Sequence, residues 1–303
     1  MLILGARGLV SVVLAAGLAT ALLTTPAPGA DKTPAVSVRI GVVGSLFRDT
    51  PEPMVQALMQ PFKSLMESQT GLTGQVIPGG DAESLGGQLV KDKVQLGVFH
   101  GFEFAWARLK YPAIKPLMIV INQHRSQKAH LVVRADSSIA SFADLQGKLV
   151  ALPRFSKEHC RLFMERRCET CGQPAERHFA QITTPADSED ALDHVIDGTV
   201  QAAVVDTVAL ECYEKRKPGR FTRVKTALES EPFPAGVIAY RPGALDDDTL
   251  KRFREGMISA NQTRRGQQLL TMCRVTGFEH VPGDFDQELT DIAKAYPPPV
   301  APK

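Results

Sequence analysis

The sequence has almost no net charge: 35 Lys and Arg stand against 33 Asp and Glu, a formal +2 at neutral pH. That balance argues against a general binder of nucleic acid, which needs a large cationic surface. Aromatic residues are scarce at 6%, with a single tryptophan, Trp106, which reads as core. There is no Gly-x-Ser-x-Gly, no His-Glu-x-x-His, no Gly-Lys-Ser/Thr phosphate loop and no Gly-x-Gly-x-x-Gly after a strand. The chain is therefore read as a non-enzyme with no cofactor and no metal. Long apolar runs are also lacking, except in residues 9–23.

That one run sets the expected location. Arg7 precedes it, and residues 24–30, rich in Thr, Ala, Pro and Gly, follow it. A charged start, an apolar middle and a small-residue end make a secretory signal. Ala27, with Thr25 two residues before it, and Ala30 are the candidate cleavage points. The alternative is an uncleaved anchor, but a run of about 15 residues is short for a membrane span. No Cys follows it closely, which argues against a lipid anchor. Residues 1–30 are assigned to a cleaved signal, and the mature chain is expected to be soluble and periplasmic.

Export permits disulfides. The five cysteines, Cys160, Cys168, Cys171, Cys212 and Cys273, leave at least one unpaired. Cys168-Glu-Thr-Cys171 would be redox-active with its thiolate at a helix N-terminus. Here it follows a helical pattern and precedes Gly-Gln-Pro, so a structural disulfide is expected. Reduced thiols are the next reading, followed by a zinc site with Cys160, His159 and His178, and an exported thiol-redox protein.

The stretch at residues 147–161 organises the rest. Residues 149–152 form a short apolar run that predicts a buried strand, stopped by Pro153. Ser156 stands where a helix N-cap would, ahead of helical spacing at Cys160, Phe163 and Met164. Free N–H groups at such a helix start attract anions, and Arg154 and Lys157 flank it. An anion-binding loop is one reading; an ordinary strand–helix connection with two solvated cations is the other.

Elsewhere strand and helix patterns alternate. Strands are expected at residues 35–43, 75–77, 94–99, 114–122, 129–133, 178–183, 201–205, 221–226 and 236–240. Helices are expected at 53–70, 81–91, 101–109, 188–196, 206–215, 246–260 and 264–273. Alternation means an α/β fold with mainly parallel sheet. Two series of similar size suggest two lobes: residues 36–130 plus 240–296, and 131–239, with 297–303 a disordered tail. The chain would cross between them near 129–135 and 236–241. Ligands sit at the C-terminal ends of strands in such sheets, which places loops 44–49, 99–104, 153–159 and 205–208 around one cleft.

Four motifs carry a family resemblance: Val38-Arg-Ile-Gly-Val-Val, Gln95-Leu-Gly-Val-Phe-His-Gly, Ser141-Phe-Ala-Asp-Leu-Gln-Gly-Lys-Leu-Val-Ala-Leu, and Gln201-Ala-Ala-Val-Val-Asp-Thr. Over residues 36–273 the chain resembles the periplasmic substrate-binding components of phosphate/phosphite/phosphonate ABC transporters. The resemblance implies a two-lobed type 2 periplasmic-binding fold with a hinge and a central cleft. It implies a small oxyanion ligand, delivery to an ABC permease in the inner membrane, and a monomer. Members that hold a phosphonate carry a Ser/Thr-Ser-Gly cluster where this chain has Arg154-Phe-Ser-Lys-Glu-His159, so only Ser156 fits the small-hydroxyl role. Asp206 falls where the family places an acidic residue that can meet a ligand amine or hydroxyl. A sensor that presents the ligand to a signalling receptor is the alternative role for this fold.

The candidate ligand-binding set is Ser45, Arg48, His100, Gly101, Arg154, Ser156, Lys157 and Asp206. Arg48 could grip a phosphate-like group bidentately or be a solvated surface residue. Ser45 offers a hydroxyl on the same loop. His100, next to Gly101, could donate to an oxyanion or pack on its neighbours. Asp206 is explained equally by helix capping. Glu103 would repel an anion and is read as a helix cap.

Overall fold

A computed structural model describes residues 37–48 and 50–299. The expected signal, residues 1–30, lies outside the described residues. In chain order the elements are β1 (Ser37–Val43), α1 (Glu52–Thr70), β2 (Thr73–Gly80), α2 (Ala82–Val90), β3 (Leu96–Phe99), α3 (Gly101–Lys110) and β4 (Lys115–Ile121). A two-residue strand β5 (Ser126–Gln127) leads to β6 (Ala129–Arg134), β7 (Leu149–Ala151), α4 (Glu158–Thr170), α5 (Ala175–His178), β8 (Gln181–Thr183) and α6 (Ser188–Ile196). Then come β9 (Ala202–Asp206), α7 (Thr207–Arg216), α8 (Pro218–Phe221) and β10 (Val224–Glu229). Another two-residue strand β11 (Phe233–Pro234) precedes β12 (Gly236–Tyr240), α9 (Asp247–Ile258), α10 (Arg264–Met272), β13 (Gly277–Glu279) and α11 (Phe285–Ala295).

The strands with unbroken apolar runs are buried on both faces, as interior strands of helix-covered sheets must be. Leu131, Val132 and Val133 in β6, and Ala202 to Val205 in β9, are examples. They build two larger sheets, ordered β13-β4-β12-β3-β1-β2 and β10-β6-β9-β7-β8. The fold is the two-lobed α/β architecture expected. Its sheets are mixed rather than mainly parallel: β1 runs parallel to β2 and β3, but β12 is antiparallel to β3 and β4, and β6 is antiparallel to β9 and β10. The cause is the route of the chain. The strand that follows each crossing starts at the edge where its neighbour in the sheet ends and so runs antiparallel to it, pairing Ala129 with Asp206 and Val237 with Phe99.

The chain passes from the first sheet to the second through residues 122–128 and returns through 230–235, just ahead of the expected crossings. The two passages are tied together. Phe233 pairs with Gln127 and Pro234 with Ser126. The Ser230 N–H donates to the Ala129 carbonyl and its hydroxyl accepts from the Ala129 N–H, both at 2.9 Å.

Helix starts follow capping chemistry. Asp81, Asp187, Asp206 and Asp246 each accept a backbone N–H of the first turn, at 2.7–2.9 Å, an interaction worth about 1 kcal/mol apiece. α1 ends at Gly71, whose φ of 66° needs a residue without Cβ strain. The organising helix differs from expectation: Lys157, not Ser156, is the N-cap of α4, and no side chain caps it. Three strands are also shifted. Residues 178–180 precede β8, because His178 closes a helical turn after Pro174. Residues 221–223 precede β10, because Pro218 starts another. The strand at 149–152 stops at Ala151.

Two C-terminal elements, β13 and α11, were not expected. α11 buries Phe285, Leu289 and Ile292 on one face and packs against α3. Of the expected tail, 300–303 lie outside the described residues, while the Pro297 carbonyl accepts from Arg166 at 2.6 Å. The bridge expected between Cys168 and Cys171 is not formed, and both are thiols. Cys168 is turned into the core at the end of α4, while Cys171 only packs against the edge of that core. Burial pushes the Cys168 thiol up to about 12. Among the described residues, no helix is long and apolar enough to cross a membrane.

Candidate functional site

The edge where β3, β4 and β9 end, and where both crossings run, gathers most of the polar residues singled out above. His100 follows β3 and caps α3 with extended backbone. Glu103, three residues on, accepts the His100 backbone N–H, the reciprocal half of a capping box. The same carboxylate accepts the Ser45 hydroxyl at 2.8 Å, tying the turn after β1 to the start of α3. Burial pushes the Glu103 carboxyl up to about 7; Glu158 adds to the rise, and Ser45, the His100 N–H and Arg48 oppose it.

Arg48 reaches from the first sheet to the second. Its Nε donates to Glu158 Oε2 at 2.8 Å, and a second guanidinium nitrogen donates to Oε1. Glu158 occupies the first turn of α4, where the helix dipole favours an anion. Beside it, the His159 ring stands 5.3 Å from Phe233 of β11. Phe233 stands 5.7 Å from Phe102, and Phe102 stacks on His100 at 5.5 Å and 5°. Four rings thus run His100, Phe102, Phe233, His159 across the crossing.

Parts of both histidines reach solvent, but Nε2 of His100 and Nε2 of His159 are each shut off from it and have no hydrogen-bond partner. Burial pushes both imidazoles down to about 3. For His100 the charges of His159, Lys157 and Arg48 add to the effect; for His159 those of Lys157 and His130 do. Both rings are therefore neutral near pH 7. A bare buried polar atom costs about 1–3 kcal/mol, so two of them beside Arg48 and Lys157 make a pocket short of hydrogen bonds.

Lys157 also lines the neighbouring cleft, of about 370 Å³, together with Asp206, Asn122, Thr271, Arg274 and Thr276. Asp206 is buried and caps α7 through the Ala209 N–H at 2.9 Å. Gln123 and Arg274, which flank this cleft, hold left-handed backbone at φ 65° and 56°. The Gln123 N–H donates to the Thr276 hydroxyl at 3.0 Å.

The structure thus brings Ser45, Arg48, His100 and Lys157 into one cluster and links Asp206 to it through Lys157. It does not bring Arg154 there: Arg154 is exposed, and its N–H donates to the Pro185 carbonyl at 2.9 Å. The Ser156 hydroxyl is engaged with the buried Cys160 thiol. Gly101 has a packing role, since a Cβ there would come within 2.4 Å of the Pro234 and Ala235 carbonyl oxygens. Sequence reasoning placed His159 only in a zinc set, and it did not single out Glu158, Asn122, Arg274 or Thr276. The zinc set is dispersed, because His178 Nε2 is 2.7 Å from the Phe142 carbonyl. Among the described residues no cluster of three His, Cys, Asp or Glu could hold a metal ion. The available signal for His159 was its position two residues after Lys157 at a helix start.

Two mixed sheets joined by two paired crossings, with a cleft at the junction, define a solute-binding protein of the two-lobed class. A family model described as the ABC transporter, phosphonate, periplasmic substrate-binding protein matches residues 47–284. The chain belongs to that family, whose members bind small ligands for ABC permeases and are periplasmic. No curated protein sequence matches it. Among solved structures, XAC2383 from Xanthomonas citri bound to chloride ion is similar, at 16% identity and a TM-score of 0.59, covering 86% of this chain and 97% of that one. PhnD1 from Prochlorococcus marinus in complex with methylphosphonate is similar at 15% identity and a TM-score of 0.53, covering 85% and 97%. A binding-protein component of an ABC phosphonate transporter, PA3383 from Pseudomonas aeruginosa, gives 15%, 0.54, and 85% of each chain. At these identities the likeness is one of fold.

Proposed function

We propose that this chain is an exported, periplasmic solute-binding protein that captures a small phosphorus oxyanion of the phosphonate class between its two lobes and delivers it to an ABC permease. The lobes are residues 37–121 with 236–295, and 129–229, and residues 1–30 direct export. One observation carries the reading: the bare, buried Nε2 atoms of His100 and His159 at the lobe junction, with the cations Arg48 and Lys157 beside them. A tetrahedral oxyanion has the size and hydrogen-bonding capacity to satisfy such a cluster, and charge-assisted bonds to the two cations are the strong kind. Ser45 and Glu103 hold the His100 loop in place, and Asp206 and Asn122 in the adjoining cleft face a ligand substituent. Closure about the paired crossings at Gln127 and Phe233 brings the two halves together.

Thermal unfolding against phosphate, phosphite, alkyl- and aminoalkylphosphonates, sulfate and organic acids tests this. A ligand at a thousand times its dissociation constant adds about 4 kcal/mol, and the midpoint should rise with at least one phosphorus anion. A midpoint unmoved by every phosphorus anion would overturn the reading.

A further inference from the structure

Arg274 stands in a place that the backbone would rather give to glycine. It comes directly after Cys273, the C-cap of α10, and its φ is 56°. The Val275 N–H donates back to the Leu270 carbonyl at 3.1 Å, closing the end of the helix. Glycine makes that left-handed closure without strain, and a residue with a Cβ does not. The α10 dipole attracts a cation there, but an arginine in the last turn would gain the same attraction on ordinary helical backbone. The strained arginine lines the cleft of about 370 Å³.

The second lobe faces it across that cleft with Lys157, just before α4, and Asp206, just before α7; Val208, Ala209 and Val275 add apolar wall. Among the described residues, neither Lys157 nor Arg274 forms an ion pair or a side-chain hydrogen bond. Arg48, by contrast, already holds Glu158. Asp206 gives Oδ1 to the Ala209 N–H at 2.9 Å. The cleft thus sets one unpaired cation on each lobe, with a single carboxylate between them in charge. A ligand with one anionic group leaves one of those cations bare. The space is also larger than a simple alkylphosphonate needs, since at about 30 Å³ per water it holds about twelve waters.

Resting on the phosphonate reading, we propose that the phosphonate taken by this cleft carries a carboxylate on its substituent, gripped by the Arg274 guanidinium while the phosphoryl end lies at Lys157. The planar guanidinium fork matches a carboxylate through two parallel hydrogen bonds. One guanidinium neutralises one carboxylate, whereas a second phosphoryl group would bring about two negative charges into a cleft that already holds Asp206. Asp206 also sets the orientation, because it repels the ligand carboxylate toward Arg274. With its two anionic ends on opposite lobes, such a ligand bridges them and favours closure.

Isothermal titration of the purified chain with two pairs tests the proposal: ethylphosphonate against phosphonopropionate, and 2-aminoethylphosphonate against phosphonoalanine. Within each pair the second compound differs by an added carboxylate. That group should tighten binding at least about tenfold in one pair or both. Arg274→Gly keeps the turn and removes its strain. It should erase the gain, change binding of the carboxylate-free compound by less than about threefold through screened charge alone, and leave the unfolding midpoint no lower. No gain from the carboxylate in either pair, or a gain that survives Arg274→Gly, overturns the proposal and leaves the phosphonate reading standing. The first of these is read on the unaltered chain, so it does not depend on the variant folding. Binding of no phosphorus anion overturns both.

Discussion

Acid stability distinguishes a buried neutral His159 from a solvated one. An imidazole in the unfolded chain takes up its proton near 6.5, while burial first, and then the Lys157 charge, push His159 down to about 3 in the fold. Between those values the unfolded chain binds one proton more than the folded chain. Stability therefore rises with pH across that window: this contribution is complete above 6.5 and is lost as pH falls toward 3. Each pH unit corresponds to about 1.4 kcal/mol. Lowering the pH from 6.5 to 4.5 should cost about 3 kcal/mol through this residue alone, a large share of a total of about 5–15 kcal/mol. His159→Gln has no titrating ring. Urea unfolding of both proteins at the two pH values should show the unaltered chain losing about 3 kcal/mol more than the variant. Equal losses would refute the burial argument.

Three other outcomes are expected. Glu103 has its folded pKa raised to about 7 from 4.5, so its contribution is fully present below 4.5 and is lost as pH rises through 7; Glu103→Gln should stabilise the chain at pH 8 by up to about 3 kcal/mol relative to its effect at pH 4.5, read by urea unfolding. Gly101→Ala drives a Cβ against the Pro234 and Ala235 carbonyl oxygens and should cost about 1–3 kcal/mol, with a lowered unfolding midpoint. Lys157→Ala should weaken anion binding by more than about tenfold, the loss of a charge-assisted contact, while the exposed Arg154→Ala should leave it nearly unchanged; calorimetric titration that finds the two equal would place the anion at the 153–156 loop instead.

The fold was legible wherever the local pattern decided the outcome. Ser188–Ile196 is bounded as the sequence indicates, because Asp187 caps it and its apolar residues fall on one face. Asp206 was legible as a cap for the same reason. Sheet direction was not: β6 and β12 read like any other apolar strand, and only the route of the chain reverses them. α11 was missed because its buried face, Phe285, Leu289 and Ile292, is separated by charges and directly precedes a proline-rich end. Lys157, Arg48, Ser45 and His100 were singled out because cations, hydroxyls and loop position are visible in a sequence, and the fold gathers them into one cluster. Arg154 was named on the same grounds, but it is exposed and its N–H is turned to the Pro185 carbonyl. Cys168 and Cys171 have the spacing of a bridge, yet one faces the core and the other its edge.

His159 shows why the remainder was hidden. Its sequence neighbours, Glu158 and Lys157, make it look like one more solvated residue at a cationic helix start. Its chemistry is set by groups remote in the chain: Phe233 against its ring and the His100 ring nearby. Those contacts exist only because two crossings run side by side under the cleft. With Arg48 engaged by Glu158, an anion entering the junction competes with that carboxylate for the guanidinium, while Lys157 adds attraction from the start of α4.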